Sequence, residues 1–147
     1  MPGADNLEPI VSLTAAPTAE EQHAVGSGLA RFNEQQSGIS DGRPLAVIAR
    51  DPQTKQPVGG LTGRTSRGLL FIDLFFLPDN LRGDGLGSRL LRLAEDEARQ
   101  RGCVSAFLYT INFQAPGFYE RHGYQVLGTV PCLPPGTSRI FMTKRLT

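Results

Sequence analysis

The residues best suited to chemistry lie where an apolar run gives way to a helical pattern, in Leu77-Pro78-Asp79-Asn80-Leu81-Arg82-Gly83-Asp84-Gly85-Leu86-Gly87-Ser88. Glycines at 83, 85 and 87 let the backbone approach a ligand closely and adopt conformations that a Cβ forbids. Amide N–H groups at a helix start have no intrahelical acceptor and point at whatever lies in front of them. Together with the helix dipole they make a site for a phosphate or diphosphate. The order Arg82-x-x-Gly85-x-Gly87 is not a P-loop, because no lysine follows the glycines. Nor is it the dinucleotide fingerprint G-x-G-x-x-G, whose third glycine is replaced by Ser88. A glycine-rich structural turn is the competing reading of this segment taken alone.

A second segment, Asn112-Phe113-Gln114-Ala115-Pro116-Gly117-Phe118-Tyr119-Glu120-Arg121-His122-Gly123-Tyr124, sets an Asn ahead of a short helix and a Tyr inside it. Asp73 is the one ionisable residue in the apolar run 69–77. A carboxylate among so much apolar surface is costly unless it is paired or faces a cleft. Strict alternation puts it on one face with Phe71, Phe75 and Leu77. Two roles stay open: a general base, direct or through water, or an amine anchor, and a structural role as partner of an arginine or backbone cap. Ser88 shows no evident His or Asp partner and reads as a helix-start hydroxyl. His122, at a helix end, is expected to meet terminal carbonyls. His23 is expected to be exposed. Phe113 and Phe118 read as packing residues, with Phe118 within reach of a ligand.

These residues need elements to hold them. Residues 6–13 read as a strand, and Thr18 with Glu21 forms a capping box for a helix carrying Val25, Leu29 and Phe32 on one face. Gly38 is its stop. Strands follow at 44–50, 56–65 and 69–77, the last so apolar that both of its faces are expected to be covered. The period then becomes helical: Leu86, Leu90, Leu93, Ala94 and Ala98 share a stripe, and Gly102 ends it. A strand at 104–109, a short helix at 115–122 and strands at 124–130 and 138–146 complete the chain. Hairpins mixed with strand–helix–strand crossovers predict an α+β fold, a mixed sheet flanked by helices, in one domain spanning 1–147.

Composition narrows the classes. Across 147 residues, 15 Lys and Arg face 14 Asp and Glu, a net charge of +1 that makes no electrostatic case for nucleic acid or a membrane surface. Arg89, Arg92, Arg99 and Arg101 alternate with Glu95, Asp96 and Glu97, which reads as a solvated helix face. No apolar run reaches the roughly 20 residues of a membrane span, and Met1-Pro2-Gly3-Ala4-Asp5 lacks a signal-peptide pattern. Cys103 and Cys132 have no metal-ligand spacing, so no metal is expected. They read as reduced thiols of a cytoplasmic protein, with a disulfide the disfavoured alternative.

Arg82-x-x-Gly85-x-Gly87 and the Asn112–Tyr119 segment together resemble the GNAT (Gcn5-related N-acetyltransferase) family, and the element order resembles it over nearly the whole chain. One N-terminal helix stands where many members have two. The resemblance implies an acetyl-CoA-dependent N-acetyltransferase with a mostly antiparallel sheet, splayed between the strands at 69–77 and 104–109. Backbone amides of Arg82, Gly83, Asp84, Gly85, Leu86, Gly87 and Ser88 would hold the coenzyme A diphosphate. The strand end Phe75, Phe76 and Leu77 would pair with the pantetheine arm, and Asn112 would hydrogen-bond it. Phe118 would touch the coenzyme. Tyr119 matches the family tyrosine that protonates the departing thiolate, a role open to a phenol whose ordinary pKa is about 10. The acceptor implied is a small-molecule or peptide amine, and a homodimer is common in the family. By charge sign, Asp73 with Asp41 or Glu34 would favour a cationic acceptor, while the loops 38–44 and 131–137 carry no readable code. Rival readings are an acyl-CoA sensor that keeps the pocket without chemistry, and a nucleotide-binding protein.

Overall fold

The computed structural model describes residues 7–147. The described residues divide into two units, one ending at Ile39 and the other Ser40–Thr147. In the first, helix α1 (Ala19–Ser37) starts at the capping box read from the sequence. The Glu21 amide donates to Thr18 Oγ1 at 3.1 Å and the Thr18 amide donates to Glu21 Oε1 at 2.8 Å. The helix ends at Gly38, whose φ of 74° is the left-handed C-cap conformation. None of the α1 residues is buried. The strand expected at 6–13 does not form. Asn6 lies outside the described residues, and 7–13 is irregular and exposed. Alternating residues become a strand only when another backbone takes their hydrogen bonds, and no strand pairs with this stretch.

The second unit contains β1 (Arg43–Arg50), β2 (Pro57–Ser66), β3 (Leu69–Phe76), α2 (Leu86–Gln100), β4 (Ser105–Ile111), α3 (Pro116–Arg121), β5 (Gln125–Cys132) and β6 (Thr137–Arg145). The six strands form one sheet in the order β1-β2-β3-β4-β6-β5. Only β3 and β4 run parallel, because α2 carries the chain back between them. A tight turn joins β2 to β3, with Arg67 and Gly68 both at positive φ, 44° and 80°.

One face of the sheet presents Leu45, Leu61, Leu70 and Ile72 to Leu91, Ala94 and Ala98 of α2. Leu61, Leu70 and Leu91 are wholly excluded from water, worth about 1.5–3 kcal/mol each. The α2 stripe is shifted from the expected one: Leu91 and Glu95 are buried, whereas Leu93 is 48% exposed. Glu95 is therefore not on a solvated face. It accepts hydrogen bonds from Tyr124 Oη at 2.8 Å and Lys144 Nζ at 2.9 Å, partners that make a buried carboxylate tolerable. Its charge and burial push the Tyr124 phenol well above its ordinary pKa, with burial the larger cause.

Strand β3 departs from the expected pattern at Asp73. Thr62 of β2 faces Leu74 and Gly63 faces Ile72, so Asp73 is the extra residue of a β-bulge. The bulge reverses the alternation. Leu70 and Ile72 point into the core before it, and Phe75 and Leu77 do so after it. Asp73 thus does not share a face with Phe75 and Leu77. Nor are both faces of the strand covered, since Leu74 is 70% and Phe76 58% exposed. Glycine 63 makes the bulge possible: a Cβ there would lie 2.1 Å from the Phe71 carbonyl oxygen.

Among the described residues no helix is long and apolar enough to cross a membrane. Cys103 and Cys132 are free thiols, and burial raises the Cys103 pKa.

Gly63→Ala must displace backbone rather than a side chain, so it should lower unfolding stability by about 2 kcal/mol or more in a urea titration. The same substitution at Gly26 of α1, where an added Cβ meets nothing within 4 Å, should be neutral or stabilising.

Candidate active site

Strands β3 and β4 pair only from Leu69 with Ser105 to Ile72 with Leu108. Beyond this, β3 stays paired to β2 through Phe76, and β4 stays paired to β6 through Ile111. Their facing edges are left without a partner, and a cleft of about 620 Å³ opens there. The cleft is lined by Phe75, Phe76 and Leu77 from β3 and its exit, by the glycine loop, by Thr110 at the end of β4, and by α3 with the residues that lead into it.

The loop leaves a row of backbone amides free. A single 3₁₀ turn, Asp79–Leu81, leads into it, and Gly83 and Gly85 then adopt φ of 92° and 81°. Gly85 is the N-cap of α2 and supplies no side chain to its amides. The first helical bond is from the Arg89 amide to the Gly85 carbonyl, 3.1 Å. Consequently the amides from Gly83 through Ser88 have no acceptor among the described residues. Such a row would be costly if it were not for water or an anion. The Arg82 side chain is turned away from this task. Its Nε donates to the Leu77 carbonyl at 2.7 Å, and its Nη1 lies 2.8 Å from Asp79.

Tyr119 comes from α3, whose Pro116 stands in the first turn where no amide hydrogen is needed. Its ring is fixed edge-on by Phe75 (6.4 Å between centroids), Phe118 (5.2 Å) and Tyr124 (5.7 Å). The residue is 8% exposed and lines the cleft, and its hydroxyl has no protein partner among the described residues. Burial pushes its pKa up to about 12, so the phenol keeps its proton at neutral pH.

Two expectations are corrected. Ser88 does have a partner: its Oγ lies 2.8 Å from His122 Nε2. His122 therefore turns to a side chain of α2 rather than to terminal carbonyls, and its ring also packs on Phe118 at 4.8 Å. Burial holds its pKa below the ordinary value. This bond fastens the end of α3 to the first turn of α2. Nothing in the sequence marked it, because 34 residues separate the pair.

Of the residues singled out by sequence, Phe75, Phe76, Leu77, Arg82, Gly83, Gly85, Gly87, Ser88, Phe118 and Tyr119 line the cleft; Asp84, Leu86, Asn112 and Asp73 do not. The Asn112 amide group is engaged elsewhere. Its Nδ2 donates to the Gly136 carbonyl at 3.1 Å and its Oδ1 accepts from the Ser138 amide at 3.4 Å, which pins the β5–β6 turn to the end of β4. Asp73 lies 2.9 and 3.2 Å from Nη1 of Arg64, whose guanidinium covers the Phe71 ring at 4.3 Å. Asp41 accepts from the Arg67 amide at 2.8 Å. Phe113 lines the cleft, as do Thr110, Gln114, Ala115 and Arg121, which the sequence reading passed over. Gln114 Oε1 accepts from the Ile111 amide at 2.8 Å and so shapes the turn between β4 and α3.

Comparison with known proteins agrees with this geometry. Residues 12–124 match the family model of the GNAT acetyltransferases. An acetyltransferase of Agrobacterium fabrum is 38% identical over 90% of this chain and 96% of its own. The blasticidin-S acetyltransferase of Streptomyces morookaense is 39% identical over 74% of this chain and 82% of its own. The crystal structure of an Agrobacterium tumefaciens protein described as an acetyltransferase superposes with a TM-score of 0.83 at 37% identity, covering 95% of this chain and 99% of that one. On both grounds the chain belongs to the GNAT acetyltransferase family.

Proposed function

We propose that the protein transfers an acetyl group from acetyl-CoA to the primary amine of a small molecule, directly and without an acyl-enzyme. The observation that carries this reading is the run of unpaired amides from Gly83 through Ser88 at one end of a cleft whose other wall is Tyr119. The residues present suit the donor. A diphosphate fits a glycine cradle in which an added Cβ at Gly83 or Gly85 would meet nothing within 4 Å, so the space in front is open. An extended amide-bearing arm fits the unpaired edge of β3 at Phe75, Phe76 and Leu77. Acetyl-CoA would supply an acyl group activated as a thioester.

The chain's own part is to bind, orient and hold one proton. Tyr119 Oη keeps that proton for the departing sulfur, and an unpartnered hydroxyl with a raised pKa suits a donor better than a base. The cleft-lining residues include no carboxylate and no imidazole. The acceptor therefore arrives as the neutral amine and releases its proton to water after forming the C–N bond. As the C–S bond breaks, the thiolate takes the Tyr119 proton, and Tyr119 is reprotonated from water. Asp73, held by Arg64, anchors the bulge instead of abstracting that proton. Blasticidin S, the substrate in the name of one relative, favours a small-molecule amine and belongs in the acceptor panel.

The reading is tested by following free-thiol release from acetyl-CoA with blasticidin S and a panel of primary amines. Release with no acceptor, in a chain that binds acetyl-CoA, would sink it. Tyr119→Phe should lower kcat by about a hundredfold while the acetyl-CoA Kd changes less than about twofold. For the native chain, kcat/KM should rise with pH as the acceptor loses its proton and then stay level to about pH 10, since a phenol titrating near 12 gives no earlier descending limb. Gly85→Val forces a β-branched residue into the left-handed region and should abolish acetyl-CoA binding by calorimetry.

A further inference from the structure

The cleft holds two cations, Arg82 and Arg121, and they are in opposite states. Arg82 is already committed to Asp79 and the Leu77 carbonyl. Arg121, in the last turn of α3, has neither an acidic partner nor a hydrogen bond among the described residues. Helix capping does not account for it. The terminal carbonyls of Tyr119 and Glu120 are taken by the amides of His122, Gly123 and Tyr124 at 3.0 Å. The guanidinium instead folds back over Gly117, with Nη1 3.6 Å from where a Cβ would stand, and so faces the cleft. The Ser88–His122 bond sets the residue next to Arg121 against the first turn of α2. An unneutralised guanidinium thus lines the same cleft as the amide row but comes from a different element.

The amides of Gly83 through Ser88 are sufficient for a diphosphate. A separate, unpaired guanidinium beside them suits a second anion on the same ligand, with the forked donors that a phosphate monoester accepts. On the reading that the donor is acetyl-CoA, we infer that Arg121 binds the 3′-phosphate on the coenzyme's ribose and makes this chain select coenzyme A over 3′-dephospho-coenzyme A.

Calorimetric titration of the purified full chain with coenzyme A and with 3′-dephospho-coenzyme A tests this. The native chain should bind coenzyme A at least about tenfold more tightly, the worth of one charge-assisted contact. Arg121→Gln should bind coenzyme A as weakly as the native chain binds the dephospho form, with no change for the dephospho form itself. Arg121→Lys should retain part of the selectivity. An equal loss for both ligands would assign Arg121 to the diphosphate and overturn the inference, as would unchanged affinities in Arg121→Gln. Failure of the native chain to bind either ligand would overturn the acetyl-CoA reading as well. The side chain is exposed and unpartnered, so an unchanged Tm in Arg121→Gln is expected and serves as the folding control.

Discussion

The site depends on a failure of strand pairing. Two parallel strands, β3 and β4, share a ladder only as far as Ile72 and Leu108 and then part. Parallel neighbours normally stay paired while both strands last, because an unpaired buried edge is costly. Here the bulge at Asp73 turns β3 away while β2 keeps its other edge occupied. The exposed edge, the cleft and the placing of the glycine loop at its mouth all follow. Gly63 permits the bulge by leaving room for the Phe71 carbonyl, and the Arg64–Asp73 pair holds it from the far face of the sheet. Asp73 thus serves the cleft without lining it.

A second layer of interactions keeps the cleft's far wall in register. The end of α3 is fastened to α2 through His122 and Ser88, and Tyr124, two residues on, reaches the buried Glu95 of the same helix. Lys144 closes this group from β6. Tyr119, just before the two attachments in the chain, is gripped by Phe75, Phe118 and Tyr124. A ring packed on three sides loses little entropy when its hydroxyl meets a ligand, and the burial that packs it also keeps its proton in place. Positioning and protonation have one cause.

The two ends of the cleft differ in electrostatics. One presents backbone N–H groups and an uncommitted guanidinium, and the residues lining the cleft include no carboxylate. The other presents a neutral phenol and aromatic edges, suited to a thioester and an uncharged amine. Such a gradient is matched to a ligand that is anionic at one terminus and apolar at the other, which is the basis of the acetyl-CoA proposal.

Local chemistry was legible in the sequence wherever a residue's conformation depends on its near neighbours. The Thr18–Glu21 box, the stop at Gly38, the Gly83–Gly85 turn and the position of Tyr119 on a short helix were all read there, as was the mixed sheet from the order of periodic segments. What the sequence could not carry was phase and partnership across distance. A single extra residue at Asp73 reverses which side chains of β3 face the core, and alternation has no means of announcing it. Glu95 looked solvated among arginines until Lys144 and Tyr124, far along the chain, came to it. Asn112 was given to the ligand and went to a turn; Arg121 and the Ser88–His122 bond went unread. Conformational preference is a local property and can be read along the chain, whereas the partner of a buried or convergent polar group is chosen by packing, which only the tertiary structure decides.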